Sequence, residues 1–152
     1  MISPLSSYTT IACLGPIGAM YGSGTIATLC TIPLILIIYS LSIAPSIQLL
    51  IAAIAILLGR GIIHKACIAL NNHDDPSCIV LDELIGCIIT FYAVPISTNS
   101  IIMGIILFRF FDITKIAGIS YLERYPYGWG IVLDDVAAGI LSNILLRMII
   151  YY

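Results

Sequence analysis

The chain has 152 residues, of which 61% are hydrophobic and only 9% are charged, and its net charge is −2. Soluble domains usually carry about 25% charged residues, so this composition excludes an ordinary soluble protein and predicts a membrane protein with a single domain over residues 1–152. Because no basic patch is present, we expect no nucleic-acid partner.

The first half of the chain predicts hydrophobic helices after a glycine-rich loop. Thr25 is a candidate N-cap, and Ile26–Ala44 is long enough to cross a bilayer, which takes roughly 20 residues. Pro45 predicts a turn. The next apolar run, Ser46–Leu58, is short for a span, so we expect either a tilted helix or half of a shallow hairpin.

The second half predicts further helices. Asp75 followed by Pro76 is typical of a helix start, with an Asp cap and Pro in the first turn. The apolar segment Leu84–Phe108 is interrupted by a turn-like cluster at residues 95–100, which favours two shorter helices over the alternative of one long kinked span. Val136–Tyr152 predicts a last hydrophobic helix.

A near-duplicated motif carries four acids within apolar sequence: Asp82, Glu83, Asp134 and Asp135. One turn beyond each pair stands a glycine, Gly86 and Gly139, and small residues at this spacing let two helices cross closely. Carboxylates in apolar surroundings are costly unless they are paired or bind a metal. We therefore predict one shared site with oxygen ligands for Mg²⁺ or Mn²⁺. The alternative is that each acid caps a helix or pairs with a nearby cation.

A second group of charged residues follows. Arg109, Asp112 and Lys115 would lie on about a third of a helix circumference. Arg binds phosphate through two bonds and Lys binds it as a point charge, so beside a carboxylate cluster this pattern predicts phosphate binding. The alternative is that both cations only reach the membrane surface. Asp75 and Asp112 are additional oxygen donors.

The remaining polar residues are less informative. Glu123 and Arg124 are adjacent and are interpreted as a local ion pair, and Arg147 is expected to extend to the membrane surface. His64 and His73 are interpreted as structural or loop residues rather than ligands.

In order along nearly the whole chain, these motifs resemble the phosphatidylglycerophosphatase A family of bacterial membrane phosphatases. Residues 75–86 (DPSCIVLDELIG) resemble its first acidic motif, residues 108–115 (FRFFDITK) its central Arg-Asp-Lys motif, and residues 123–139 (ERYPYGWGIVLDDVAAG) its second acidic motif. Residues 22–25 (GSGT) resemble its glycine-threonine loop.

The resemblance implies an all-α fold, a compact membrane-embedded helical bundle around a central helix. It implies Mg²⁺-dependent hydrolysis of phosphatidylglycerophosphate to phosphatidylglycerol and phosphate in the bacterial inner membrane. The active site is expected to face the cytoplasm, because the cations that flank the hydrophobic segments can all be cytoplasmic if Leu84–Phe108 enters the membrane and returns: Arg60, Lys65, Arg109, Lys115 and Arg124. The expected metal ligands are Asp82, Glu83, Asp134 and Asp135. The expected catalytic residues are Glu83, Asp112, Arg109 and Lys115, and the expected substrate contacts are Arg109, Lys115, Arg124 and Asp75. The rival interpretation is a small ion or proton transporter whose buried acids line the pathway.

Overall fold

The computed structural model describes residues 7–71, 76–116 and 118–152. Within these residues the chain forms seven α-helices and no strand, which confirms the all-α prediction. Two 3₁₀ turns, at Ile17–Ala19 and Ile119–Arg124, connect them. The helices are α1 Ser7–Ala12, α2 Ser23–Cys30, α3 Ile32–Ser40, α4 Pro45–Ala69, α5 Leu81–Thr90, α6 Thr98–Thr114 and α7 Trp129–Tyr151.

The first predicted span consists of two helices, α2 and α3, that follow each other directly. Pro33 lies in the first turn of α3, where its missing N–H does no harm but where it ends the preceding helix. The N-cap of α2 is Gly22, with a φ of 71°, so the prediction that Thr25 caps this helix is wrong. Thr25 lies inside the first turn of α2 instead.

Helix α4 corrects the prediction of a short run over Ser46–Leu58, because it extends over 25 residues. Pro45 begins this helix rather than forming the turn, which precedes it. The helix continues through Gly59, although glycine in a helix interior costs about 1 kcal/mol relative to alanine. A Cβ at Gly59 would lie 2.3 Å from Cδ1 of Ile85, so close packing against α5 accounts for the glycine.

The segment that follows folds as two helices, α5 and α6, which confirms the predicted interruption. Ser97 caps α6, and it exchanges hydrogen bonds with Ser100 in a capping box. Helix α5 begins at Leu81, several residues after Pro76. The predicted cap at Asp75 lies outside the described residues. Helix α7 begins at Trp129 rather than at the predicted Val136, so the second acidic pair lies inside this helix.

Helix α5 is the central helix, since it packs against α2, α4, α6 and α7. A Cβ on Gly139 would lie 2.4 Å from the Gly86 carbonyl oxygen, and a Cβ on Gly86 would lie 2.7 Å from the Asp135 carbonyl oxygen. The crossing predicted from the two glycines is therefore confirmed. Beside this crossing, Phe108 and Leu146 are fully buried in an apolar core.

Among the described residues, three segments are long and apolar enough to cross a membrane: Ser23–Ser40, Pro45–Ala69 and Trp129–Tyr151. On α4, large apolar side chains such as Leu50, Leu57 and Leu58 are about 60% exposed, as expected for a surface that contacts lipid. In contrast, α5 has 10 residues, a length of about 15 Å, which is half of the hydrocarbon thickness of a bilayer.

Candidate active site

The two acidic pairs meet where α5 crosses α7. Asp82 and Glu83 lie in the first turn of α5, and Asp135 lies in the second turn of α7. One carboxylate oxygen from each of these three residues lies within 4.8 Å of the others. Asp82 and Asp135 are buried. The predicted proximity of the two acidic motifs is therefore confirmed, whereas a metal bound between them stays a prediction; the donors are the hard oxygen ligands that suit Mg²⁺.

Asp134 turns away from this carboxylate group. Neighbouring residues on an α-helix point about 100° apart, so Asp134 and Asp135 face different partners. The Asp134 Oδ2 atom lies 2.7 Å from Nζ of Lys115, and its Oδ1 atom accepts a 3.0 Å hydrogen bond from the Asp135 N–H. The structure thus brings three of the four predicted ligands together and places the fourth in an ion pair. A metal-ligand role for Asp134 stays a prediction.

Arg109 reaches the edge of the carboxylate group from α6. Its Nη1 atom lies 2.5 Å from Oδ2 of Asp112 and 3.7 Å from Oε1 of Glu83. The three-residue step from Arg109 to Asp112 places both side chains on one face of the helix, as the sequence predicted. The Arg109 side chain as a whole is about one fifth exposed, whereas its Nε and Nη1 atoms are buried.

Lys115 ends α6 and connects it to α7 and to the segment before α7. Its backbone has a φ of 48°, a left-handed conformation that is uncommon for a residue with a side chain. Its Nζ atom contacts both Asp134 and Glu123. Burial acts to lower the Lys115 pKa, but the hydrogen bonds and charges of Asp134 and Glu123 outweigh it and raise the pKa above its ordinary value. The side chain is therefore a permanent cation.

Glu123 has a different partner from the one predicted. The sequence was interpreted as a Glu123–Arg124 ion pair, but Glu123 contacts Lys115, and the exposed guanidinium of Arg124 lies 5.0 Å from the centre of the Tyr121 ring. The described geometry therefore does not bring Arg124 to the carboxylate group. Asp75, the other predicted substrate contact, lies outside the described residues, as does His73.

Gly24 is a site residue to which the sequence analysis assigned no role. A Cβ at this position would lie 2.1 Å from Oε1 of Glu83 and 2.9 Å from Nη1 of Arg109. The backbone of α2 therefore presses directly against the pair formed by these side chains. The GSGT segment was the available signal, but spacing alone does not show which side chains a glycine faces.

A large cavity adjoins the ion pair. It has a volume of about 820 Å³, and Asp134 and Glu123 are among the residues that line it. His64 of α4 also lines this cavity and contacts Tyr127 edge to face, with ring centres 5.5 Å apart. His64, interpreted from the sequence as structural, thus faces the cavity next to Lys115.

Comparison with known proteins gives concordant matches. A family model described as Phosphatidylglycerophosphatase A matches residues 10–150. Phosphatidylglycerophosphatase A of Haemophilus influenzae is 39% identical over 108 residues, which cover 70% of this chain and 66% of that protein. The protein of the same name in Escherichia coli is 33% identical over 124 residues, or 78% of this chain and 69% of that protein.

A third relative has a different name. A "Putative phosphatidylinositol-3-phosphatase" of Bacteroides thetaiotaomicron is 40% identical over 78 residues, which cover 49% of each chain. The matched part of the chain thus spans between about half and about two thirds of the length of these relatives. No solved structure matches the chain.

Proposed function

The chain belongs to the phosphatidylglycerophosphatase A family, and we propose on this basis that it hydrolyses the terminal phosphate of phosphatidylglycerophosphate. The products are phosphatidylglycerol and inorganic phosphate. The observation that carries the proposal is the carboxylate group of Asp82, Glu83 and Asp135, with Arg109 at its edge and Lys115 beside it, in a chain with three segments of membrane length among its described residues.

The cofactor we propose is Mg²⁺. Three carboxylates whose oxygens lie within 4.8 Å of one another match the donor chemistry that this ion prefers, and the described group holds neither a His nor a Cys that would favour zinc. When bound, the ion neutralises phosphate charge and makes a coordinated water more acidic. Asp82, Glu83 and Asp135 are the residues that would hold it.

The cations bind the phosphate. Arg109 presents a planar guanidinium that can donate two parallel hydrogen bonds to phosphate oxygens, and Asp112 fixes its orientation at 2.5 Å. Lys115, anchored by Asp134, supplies a second positive charge. Both charges stabilise the negative charge that spreads over the phosphoryl oxygens in the transition state.

The reaction needs one water molecule. The water oxygen forms a bond to phosphorus, and the bond between phosphorus and the glycerol oxygen breaks. Glu83 lies beside both the carboxylate group and Arg109, so it is our candidate to accept the proton of the attacking water. The departing glycerol oxygen takes up a proton, which completes the alcohol of phosphatidylglycerol.

We place the protein in the bacterial inner membrane with its active site towards the cytoplasm. Helix α5 is too short to cross a bilayer, which supports a hairpin with α6 that enters the membrane and returns. With such a hairpin, the cations that flank the hydrophobic segments (Arg60, Lys65, Arg109, Lys115 and Arg124) can all lie on one side, as cytoplasmic cations do.

The decisive test is phosphate release by the purified protein from phosphatidylglycerophosphate in mixed micelles with Mg²⁺. We expect release by the wild type and none by Asp82→Asn. Phosphatidylinositol 3-phosphate at the same surface concentration tests the headgroup preference suggested by the name of the third relative. Ion flux in liposomes without phosphate release would instead favour the transporter.

A further inference from the structure

Helices α4 and α7 pack side by side in antiparallel directions. Near the active site, a Cβ on Gly128 would lie 3.2 Å from Cβ of His64. Farther along, Leu49 of α4 and Asn143 and Ile144 of α7 line the same cavity. Residue numbers therefore fall along α4 as they rise along α7. We call this contact line the α4–α7 seam.

Two cavities open along the α4–α7 seam. The first is the 820 Å³ cavity beside Asp134, to which α4 contributes His64 and Cys67. The second has a volume of about 310 Å³ and lies against α4 from Leu49 to Ile56, so its nearest edge is eight residues, or about 12 Å, from His64. Its lining is almost entirely apolar and carries no charged side chain. We call it the apolar groove, and its lining includes Leu49, Ala52, Ala53, Ile56, Ile140 and Ile144.

Arg60 lies between the two cavities, one helical turn from His64 and one turn from Ile56. Its guanidinium carbon lies 5.3 Å from the centre of the Trp129 ring of α7. Its buried Nε atom has no hydrogen-bond partner among the described residues. A buried donor without an acceptor is costly. Arg60 therefore offers an unpaired donor to an anionic ligand at the point between the two cavities.

We propose that the α4–α7 seam binds the phosphatidyl part of the lipid substrate, with Arg60 on the diester phosphate and one acyl chain in the apolar groove. This inference rests on the proposed function. The order of features along the seam matches the order of groups in the lipid. Lys115 and the carboxylate group meet the terminal phosphate, the large cavity takes the glycerol, Arg60 meets the second phosphate, and the groove lies in helices of membrane length.

Arg60→Gln tests the phosphate contact, and Lys65→Gln is its control. Lys65 lies on the same helix, is exposed, and donates a hydrogen bond to the Tyr8 hydroxyl. We expect Arg60→Gln to raise KM for phosphatidylglycerophosphate by about tenfold, the scale of a charge-assisted hydrogen bond, with kcat within about twofold. Lys65→Gln should leave both unchanged. Equal KM values for the two variants would overturn the role of Arg60.

Ala53→Trp tests the groove, and Leu57→Trp is its control. Both residues are exposed on α4, but only Ala53 lines the groove. We expect Ala53→Trp to lower kcat/KM about tenfold for a lipid with long acyl chains and to leave kcat/KM for its dibutyryl form unchanged, since short chains do not fill the groove. Leu57→Trp should change neither value.

The outcomes distinguish a failure of the proposed function from a failure of the inference about the α4–α7 seam. If the wild type releases no phosphate from the lipid, the proposed function fails and the inference falls with it. If the wild type is active but Ala53→Trp behaves like Leu57→Trp, the groove holds bulk lipid and the inference alone fails. If Ala53→Trp changes the oligomeric state in size-exclusion chromatography without a change in chain-length preference, the groove is instead a contact between copies of this chain.

Discussion

The first turn of α5 brings Asp82 and Glu83 to Asp135 of α7. In contrast, the last turn of α5 and the residues just after it present backbone carbonyls to Asn143 and Arg147 of α7. Asn143 donates to the Thr90 and Tyr92 carbonyls, both at 2.9 Å, and Arg147 donates to the Tyr92 carbonyl at 2.9 Å. The first end concentrates like charges, which repel one another. The second end satisfies acceptors that the end of a helix leaves open.

The difference indicates that one pair of helices has a functional end and a structural end. Carboxylates held close together lower stability until a cation joins them, whereas capped carbonyls raise it in every state. Substitutions at the two ends should therefore separate activity from stability. The following four experiments test this separation, from the largest expected effect to the smallest.

Asp135→Asn should abolish activity while the fold persists. The amide keeps the shape of the side chain but removes a ligand charge, and we expect kcat/KM to fall about a thousandfold or more, which corresponds to about 4 kcal/mol. Without metal, the thermal unfolding temperature should equal or exceed that of the wild type, because a buried like charge is gone. An Asp135→Asn variant with near-normal phosphate release would remove this residue from the metal site.

Mg²⁺ should stabilise the wild type. A ligand that binds only the folded state at a hundred times its Kd adds about 2.7 kcal/mol. We expect thermal unfolding of chelator-treated protein to shift upwards on addition of Mg²⁺, and the same addition to leave Asp135→Asn unchanged. A shift of equal size in both proteins would mean that the ion binds elsewhere, and Na⁺ at matched ionic strength controls for screening.

Arg109→Lys should lose activity through geometry, since the charge is kept. An ammonium cannot grip two phosphate oxygens as a guanidinium does. The loss of one charge-assisted bond, about 1.5–3 kcal/mol, corresponds to a tenfold to hundredfold fall in kcat/KM at saturating Mg²⁺. Unchanged kcat/KM would leave Arg109 as an anchor at the membrane surface, the alternative interpretation of its sequence pattern.

Arg147→Met should lower stability and spare the chemistry. The variant loses one of two donors to the Tyr92 carbonyl, and Asn143 still donates to this acceptor, so we expect the cost of a single hydrogen bond, about 0.5–1.5 kcal/mol. We expect a lower unfolding temperature with kcat/KM within about twofold of the wild type. Arg147→Lys, which keeps one donor, should fall between the two. A large fall in activity at unchanged stability would contradict the division between the two ends of α5.

The sequence-based interpretation of Arg147 missed its hydrogen-bond partner for an instructive reason. From the sequence, a lone cation near the end of an apolar helix is typical of a side chain that extends to the membrane surface. Its acceptor in the structure is a backbone carbonyl, which becomes available only because α5 ends at Thr90. Sequence patterns identify side-chain partners far better than they identify free carbonyls.

The site itself was largely predictable. Paired acids followed by glycines at helical spacing are a local pattern, and it was enough to bring Asp82 and Asp135 together. The length of α4 was not predictable from local pattern, because Gly59 resembles a helix end until Ile85 packs against it. The different partners of Asp134 and Asp135 depended on where α7 begins, and helix starts are poorly marked when the cap is a glycine such as Gly128.

Because Asp134 and Asp135 are neighbours on one rigid helix, the metal group and the Lys115 ion pair cannot adjust independently. A rotation of α7 about its axis that moves Asp135 towards Asp82 must also move Asp134 relative to Lys115. The backbone of the helix holds these two residues at a fixed angle to each other. Binding of the cation and of the phosphate are therefore thermodynamically linked through α7, and each changes the affinity for the other by the same factor.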